Sequence, residues 1–261
     1  MTSHRASIDG IEDRSDSVAN ALEAAIRDGD IKTLQSTLQE NPKSAQIRIG
    51  HLASGLRTPL PGHFPNSVQT AQLLIEHGAD VNAAFEGPNH SETPLHWAAS
   101  CNDVALIETL LDAGADINAT GGVLANGTPL TDARAFLQTE AAHELIRRGA
   151  TVGLQDAATL GLLESVQSFY QSKVGGQLCN ANISATNKET GNGQPSQDDT
   201  DTAFWNACHG GQLDIVIYLH EKGANINAIP SWDKLTPLEA ARRSGAQDIM
   251  AWFKKIEAKS T

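Results

Sequence analysis

Three cysteines, two methionines and an aromatic share of 5% are all that this 261-residue chain carries of its scarcer side chains. Each shortage excludes something. Cys101, Cys179 and Cys208 are odd in number and far apart, so no disulfide framework and no Cys-x-x-Cys metal or redox motif can be drawn from them. No apolar run reaches the roughly 18 residues that a membrane-spanning helix needs. The opening stretch MTSHRASIDGIEDRSDS lacks the apolar core of a secretory leader. The expected location is therefore the cytoplasm, with the nucleus also open. Positive charge is scarce as well: 19 Lys and Arg stand against 31 Asp and Glu, a formal net charge of −12. A nucleic-acid backbone would be repelled, whereas a protein partner bearing a basic patch would be drawn in.

Chemical motifs are missing too. There is no Gly-x-Gly-x-x-Gly, Walker loop, Gly-x-Ser-x-Gly elbow, His-Glu-x-x-His or EF-hand loop, so no catalytic residue, metal ligand or cofactor is assigned. Cys208 and His209 are adjacent in a helical stretch, where successive side chains point about 100° apart and cannot face each other. The paired carboxylates Asp198-Asp199 and Glu12-Asp13 fall in segments read as mobile, which cannot hold acid–base geometry.

What is present is a period. Thr93-Pro94-Leu95, Thr128-Pro129-Leu130 and a variant opening at Thr202 each reach a Gly-Ala pair 21 residues later, and Thr58-Pro59-Leu60 reaches Gly78-Ala79 one residue sooner. The later part recurs as LLIEHGADVN (73–82), LLDAGADIN (110–118) and YLHEKGANIN (218–227). The pattern resembles the ankyrin repeat family, whose period is about 33 residues and whose signature includes Thr-Pro-Leu-His-x-Ala; Thr93 to Ala98 match it at every position. The resemblance implies an all-α ankyrin-repeat solenoid of about seven helix-pair units with short β-hairpin-like fingers. The units start near Asn20, Thr58, Thr93, Thr128, Val152, Thr202 and Thr236.

A single unit can be read physically. Proline fits the first helical position because its missing N–H is one that the first turn leaves unpaired, and the preceding threonine caps. Ala98-Ala99 allow close helix approach, while Leu106, Ile107, Leu110 and Leu111 form an apolar stripe on the second helix. Gly114 then ends that helix in a left-handed turn. No unit buries its stripe alone, so neighbours stack.

Departures from the repeat shape the expected organisation. Pro61, Gly62 and Pro65 break the first helix of the second unit into a loop carrying His63 and Phe64. Too few residues follow Gly149 for a finger, so units four and five join tightly. The stretch after Tyr170, rich in Gly, Asn, Ser, Thr and Gln, reads as a mobile insertion. The expected layout is a tail over 1–18, five units over 19–172, the insertion over 173–200, two units over 201–256 and a short tail over 257–261.

The expected function is a non-catalytic protein–protein interaction module, adaptor, inhibitor or effector-like, acting as a monomer through its concave groove and finger tips. The candidate contact residues are Phe85, His90 and Trp232 on fingers, Asp132 and Arg134 in unit four, and His63 and Phe64 in the interrupted loop. In the family the residue after the signature histidine commonly faces the groove, which adds Trp97, while His96 itself is implied to bridge loops of adjacent units. Two alternatives stay open: an enzyme site between the halves near Trp205 and His209, and a metal- or small-molecule-responsive site using His63, His90 and His96. The finger asparagines Asn82, Asn118 and Asn227 also resemble positions that asparaginyl hydroxylation modifies in ankyrin proteins.

Overall fold

The computed structural model describes residues 11–12, 17–42, 44–46, 48–49, 65–85, 91–171 and 194–258. The chain divides into two compact units, residues 1–148 and 149–261. In the first, α1 (Ser17–Asp28) pairs with α2 (Ile31–Glu40), followed by α3 (Ser67–Glu76), the pair α4 (Pro94–Ser100) and α5 (Val104–Asp112), and the pair α6 (Pro129–Ala135) and α7 (Thr139–Arg147). In the second, the pairs are α8 (Leu154–Thr159) with α9 (Leu163–Tyr170), α10 (Gln197–Gly210) with α11 (Leu213–Glu221), and α12 (Pro237–Arg243) with α13 (Gln247–Glu257). The fold is all-α; a two-residue parallel pairing of Ile11–Glu12 with Arg48–Ile49 is the sole sheet element among the described residues. The loop expected to carry His63 and Phe64 lies outside them.

The threonine-proline openings form helices as expected. Thr93, Thr128 and Thr236 sit in extended backbone just ahead of Pro94, Pro129 and Pro237. At Thr236 the cap is reciprocal: its N–H donates to Glu239 Oε2 at 2.8 Å, and Glu239 N–H donates to its Oγ1 at 3.3 Å. First helices pack on first helices through alanines, with Ala98, Ala99, Ala133, Ala157, Ala158, Ala203, Ala207, Ala240 and Ala241 all buried. Second helices pack on second helices through Ile107, Leu110 and Leu145 in one unit and Val166, Ile215, Leu219 and Ile249 in the other. Two layers thus share one interior in each unit.

The turn inside each of the six helix pairs among the described residues passes through a left-handed residue. Gly29, Gly161, Gly211 and Gly245 occupy four of these positions, while Asn102 (φ 60°) and Leu137 (φ 55°) hold the other two. Asn102 makes use of its place. Its Oδ1 accepts from Ala141 N–H at 2.9 Å and its Nδ2 donates to Glu140 Oε2 at 2.6 Å, so it caps α7 of the next pair, whose own Gln138 makes no side-chain cap. Leu137 has no such side-chain role, and a leucine in left-handed backbone stores strain of about 1–2 kcal/mol.

Two expectations need correction. The stretch 173–200 was expected to be one mobile insertion, but residues 194–200 are ordered and α10 begins at Gln197, five residues ahead of the expected Thr202. The reason is a capping box overlooked in the polar composition. Ser196 Oγ accepts from Asp199 N–H at 3.1 Å while Asp199 Oδ2 accepts from Ser196 N–H at 3.1 Å. Asp199 is therefore a helix cap and not loose solvated charge. The unit boundary falls at 148/149, where no finger is encoded, and not at the insertion.

Candidate functional site

The finger turns are built alike. Asn82 N–H donates to Asp80 Oδ1 at 2.9 Å, Asn118 N–H to Asp116 Oδ1 at 3.0 Å and Asn227 N–H to Asn225 Oδ1 at 3.0 Å, three copies of one Asx turn. Asn82 also reaches the next finger: its Nδ2 donates to Gly114 O at 3.2 Å and its Oδ1 accepts from Asp116 N–H at 2.8 Å. Further out, Phe85 N–H donates to Glu92 O at 2.8 Å and Ser91 N–H to Gly121 O at 3.0 Å. The two fingers of the first unit are thus hairpin-like and bonded to each other, a rigid support on which side chains can be presented.

His96 fastens this support to the helices. It is fully buried; its Nδ1 accepts from Thr93 N–H at 3.1 Å, and its Nε2 lies 3.2 Å from the carbonyl oxygen of Gly127. That network assigns the ring proton to Nε2, donated to the next finger. Burial pulls its pKa below the ordinary value, with the Gly127 and Ala119 carbonyls opposing. Both ring nitrogens are committed, so His96 offers no lone pair to a metal. His63 and His90, its suggested partners, lie outside the described residues, and no group of three or more His, Cys, Asp or Glu able to hold a metal occurs among those described.

Asp132 overturns an expectation. Its place on the first helix marks it as a contact residue, yet it is fully buried and cannot meet a partner. The backbone of Gly122 lies over it, so that a Cβ there would stand 2.8 Å from Asp132 Oδ1. No backbone, amide or hydroxyl group donates to either oxygen; the neighbouring group is the buried carboxyl of Glu92, to which a protonated Asp132 can donate. Burial pushes the Asp132 pKa up to about 8, the Glu92 charge and a carboxyl–carboxyl hydrogen bond add to the rise, and Arg134 opposes it. Sequence pattern places a residue on a helix face, but it does not say that the next finger folds over that face.

The other candidates divide by exposure. Phe85, Trp97 and Arg134 are half-buried, and each is engaged within the fold. Trp232 is 51% exposed on the last finger. Its ring stands edge-on to the buried Trp205 at 6.3 Å, interplanar angle 81°, and Trp205 is fixed in turn by donating from Nε1 to Leu235 O at 2.9 Å. Four exposed apolar residues were not anticipated: Val123 and Ile229 on fingers, Phe136 and Leu137 in the α6–α7 turn. Phe136 and Leu137 stand where sibling turns have pairs such as Cys101-Asn102 and Ser244-Gly245, and aligning the turns would have shown the contrast. Neither Trp205 nor Cys208 is open to a reactant. Both are buried, and burial pushes the Cys208 thiol up, away from thiolate chemistry.

The family models for ankyrin repeats match residues 22–121, as three copies, and residues 199–230. The chain belongs to the ankyrin repeat family. Ankyrin repeats are protein-interaction modules, a fold generally without catalysis of its own. Among the curated relatives, palmitoyltransferase AKR1 of Kluyveromyces lactis is 32% identical over 111 residues, 40% of this chain and 14% of that protein. An ankyrin repeat and KH domain-containing protein of Caenorhabditis briggsae is 26% identical over 162 residues, 62% of this chain and 6% of its own length. The RelA-associated inhibitor of Mus musculus is 32% identical over 99 residues, 38% of this chain and 11% of that protein. The ankyrin chain therefore spans a small part of each relative, and their names describe whole proteins. No helix among its described residues is long and apolar enough to cross a membrane.

Proposed function

We propose that this ankyrin chain is a non-catalytic binding module that holds a protein partner on its finger tips and the adjoining first-helix surface. What carries this reading is where the exposed large apolar side chains lie. Among the described residues they are confined to turns: Val123, Ile229 and Trp232 on fingers, Phe136 and Leu137 between α6 and α7. Exposed aromatic and aliphatic residues held on a rigid support are the usual anchors of protein interfaces, because little side-chain entropy is lost when a partner covers them. Trp232, braced against Trp205, is the strongest such anchor, and Trp97 is the matching candidate on α4.

The test is capture of partners from the native cell with the full chain, alongside Trp97→Ala and Trp232→Ala. A partner identified with the unaltered chain and lost from one of the variants supports the reading. Retention by both variants alike would show that the binding face lies elsewhere, and retention of nothing by the unaltered chain would overturn the module itself.

A further inference from the structure

A net charge of −12 on its own points toward basic partners, but the charge around the exposed tryptophan has the opposite character. The last finger and α12, residues 228–243, carry three basic side chains and two acidic ones. Both acids are engaged by neighbouring groups, Asp233 half-buried and Glu239 at the surface. Asp233 binds Arg243 at 2.9 Å and accepts from Leu235 N–H at 3.1 Å. Glu239 accepts from Thr236 N–H and from Thr236 Oγ1, both at 2.8 Å, so its carboxylate is committed to the helix cap. The guanidinium of Arg243 lies 5.5 Å above the Trp205 ring as well as on Asp233. It ties the finger, through Asp233, to α12 and to the Trp205 ring. Lys234 and Arg242 remain: both are exposed, and neither side chain enters an ion pair or hydrogen bond among the described residues. On the same finger as Lys234, Ile229 is 57% and Trp232 51% exposed.

We propose that this finger and α12 form a docking surface for an acidic peptide segment, one whose apolar side chain packs on Trp232 and Ile229 while its carboxylates meet Lys234 and Arg242. The inference rests on the binding-module reading and names the chemistry of the ligand at one surface. Three things favour that occupant. Asp233 is held by Arg243 and Glu239 by the Thr236 cap, so a basic peptide would compete with these contacts and meet two exposed cations. The aromatic anchor is pre-organised by Trp205 and the Asp233–Arg243 pair, which lowers the entropy cost of docking. A carboxylate landing beside the apolar contact would be attracted by Lys234, which no acid of this stretch pairs with, and by Arg242, whose charge Glu239 offsets only across solvent.

The experiment is selection from a random peptide display library on the full chain, with Trp232→Ala as the counter-target. Peptides that need Trp232 and are enriched in Asp and Glu next to an aromatic or aliphatic residue are the expected result. A synthetic copy should lose at least roughly tenfold in affinity on the double variant Lys234→Glu/Arg242→Glu and weaken with salt, whereas its lysine-substituted analogue should gain on that variant. Trp232-dependent peptides that are basic or uncharged, or affinities indifferent to the charge reversal, overturn the proposal. Peptides that bind Trp232→Ala equally well overturn it too, yet leave the module reading standing at another surface. Only failure to capture any cellular partner removes that broader reading.

Discussion

The side-chain amide of Gln197 donates to the carbonyl oxygen of Gly223 at 3.0 Å, reproducing in the second unit the contact that Asn82 makes with Gly114 at 3.2 Å in the first. Asp201 completes the likeness: its Oδ1 accepts from Asn225 N–H at 2.8 Å, as Asn82 Oδ1 accepts from Asp116 N–H at 2.8 Å. One asparagine on a finger is replaced by two side chains on the first turns of α10. The early start of α10 at Gln197 brings these two side chains to the same backbone groups.

The double variant Gln197→Ala/Asp201→Ala should lower stability by about 1 kcal/mol, the net worth of exposed hydrogen bonds. Amide exchange at Asn225 should quicken in that variant. An unchanged exchange rate there would show that the pair is idle.

His96→Phe keeps the volume of a buried ring but leaves Thr93 N–H and Gly127 O without their partner. The cost should be about 2–3 kcal/mol, since two buried polar groups become unsatisfied. Urea denaturation reads it directly, and a loss below about 0.5 kcal/mol would mean that water replaces the imidazole.

Asp132 gives a pH signature of definite sign. Its folded pKa is raised to about 8 from an ordinary 3.8, so the folded state retains a proton that the unfolded state releases. Stability from this group is therefore highest in acid and falls as pH rises between those two values. The depressed His96 works oppositely, losing stability as pH falls through the ordinary histidine range, so the clean window is about pH 7.5 to 8.5, where His96 is almost wholly neutral in both states. In that window the unaltered chain should lose stability with rising pH, while Asp132→Asn, whose amide can donate to Glu92, should be flat and more stable. Equal slopes for the two proteins would show that Asp132 ionises without penalty.

Leu137→Gly should stabilise the chain by about 1 kcal/mol, because it relieves left-handed strain at a position where four sibling turns use glycine. Thermal denaturation at neutral pH measures it. A lower melting temperature would mean that the partly exposed leucine makes packing contacts worth more than the strain.

Much of the helical framework was legible because its causes are local. Thr-Pro-Leu names a cap and a first helical residue, Ala-Ala names a close approach, and Leu-Leu-x-x-Gly-Ala names a stripe with its stop. Each acts within a few residues, and repetition turns weak signals into one. Ser196-x-x-Asp199 was just as local, yet it lay in polar composition that read as loose chain. The exposed turn pair Phe136-Leu137 also went unread, since it shows only when the inner turns are compared with each other.

By itself, then, the sequence determined the family, the helix pairs and the missing finger, all of which follow from backbone preferences and spacing along the chain. Only the tertiary structure decided which side chains those elements cover. Asp132 looked like a groove residue until the finger through Gly122 closed over it. Trp232 became a braced anchor because Trp205, 27 positions earlier in the numbering, lies beneath it. Exposure and charge pairing are set by contacts between distant segments, and a helix-face pattern carries no record of what the next repeat lays upon it.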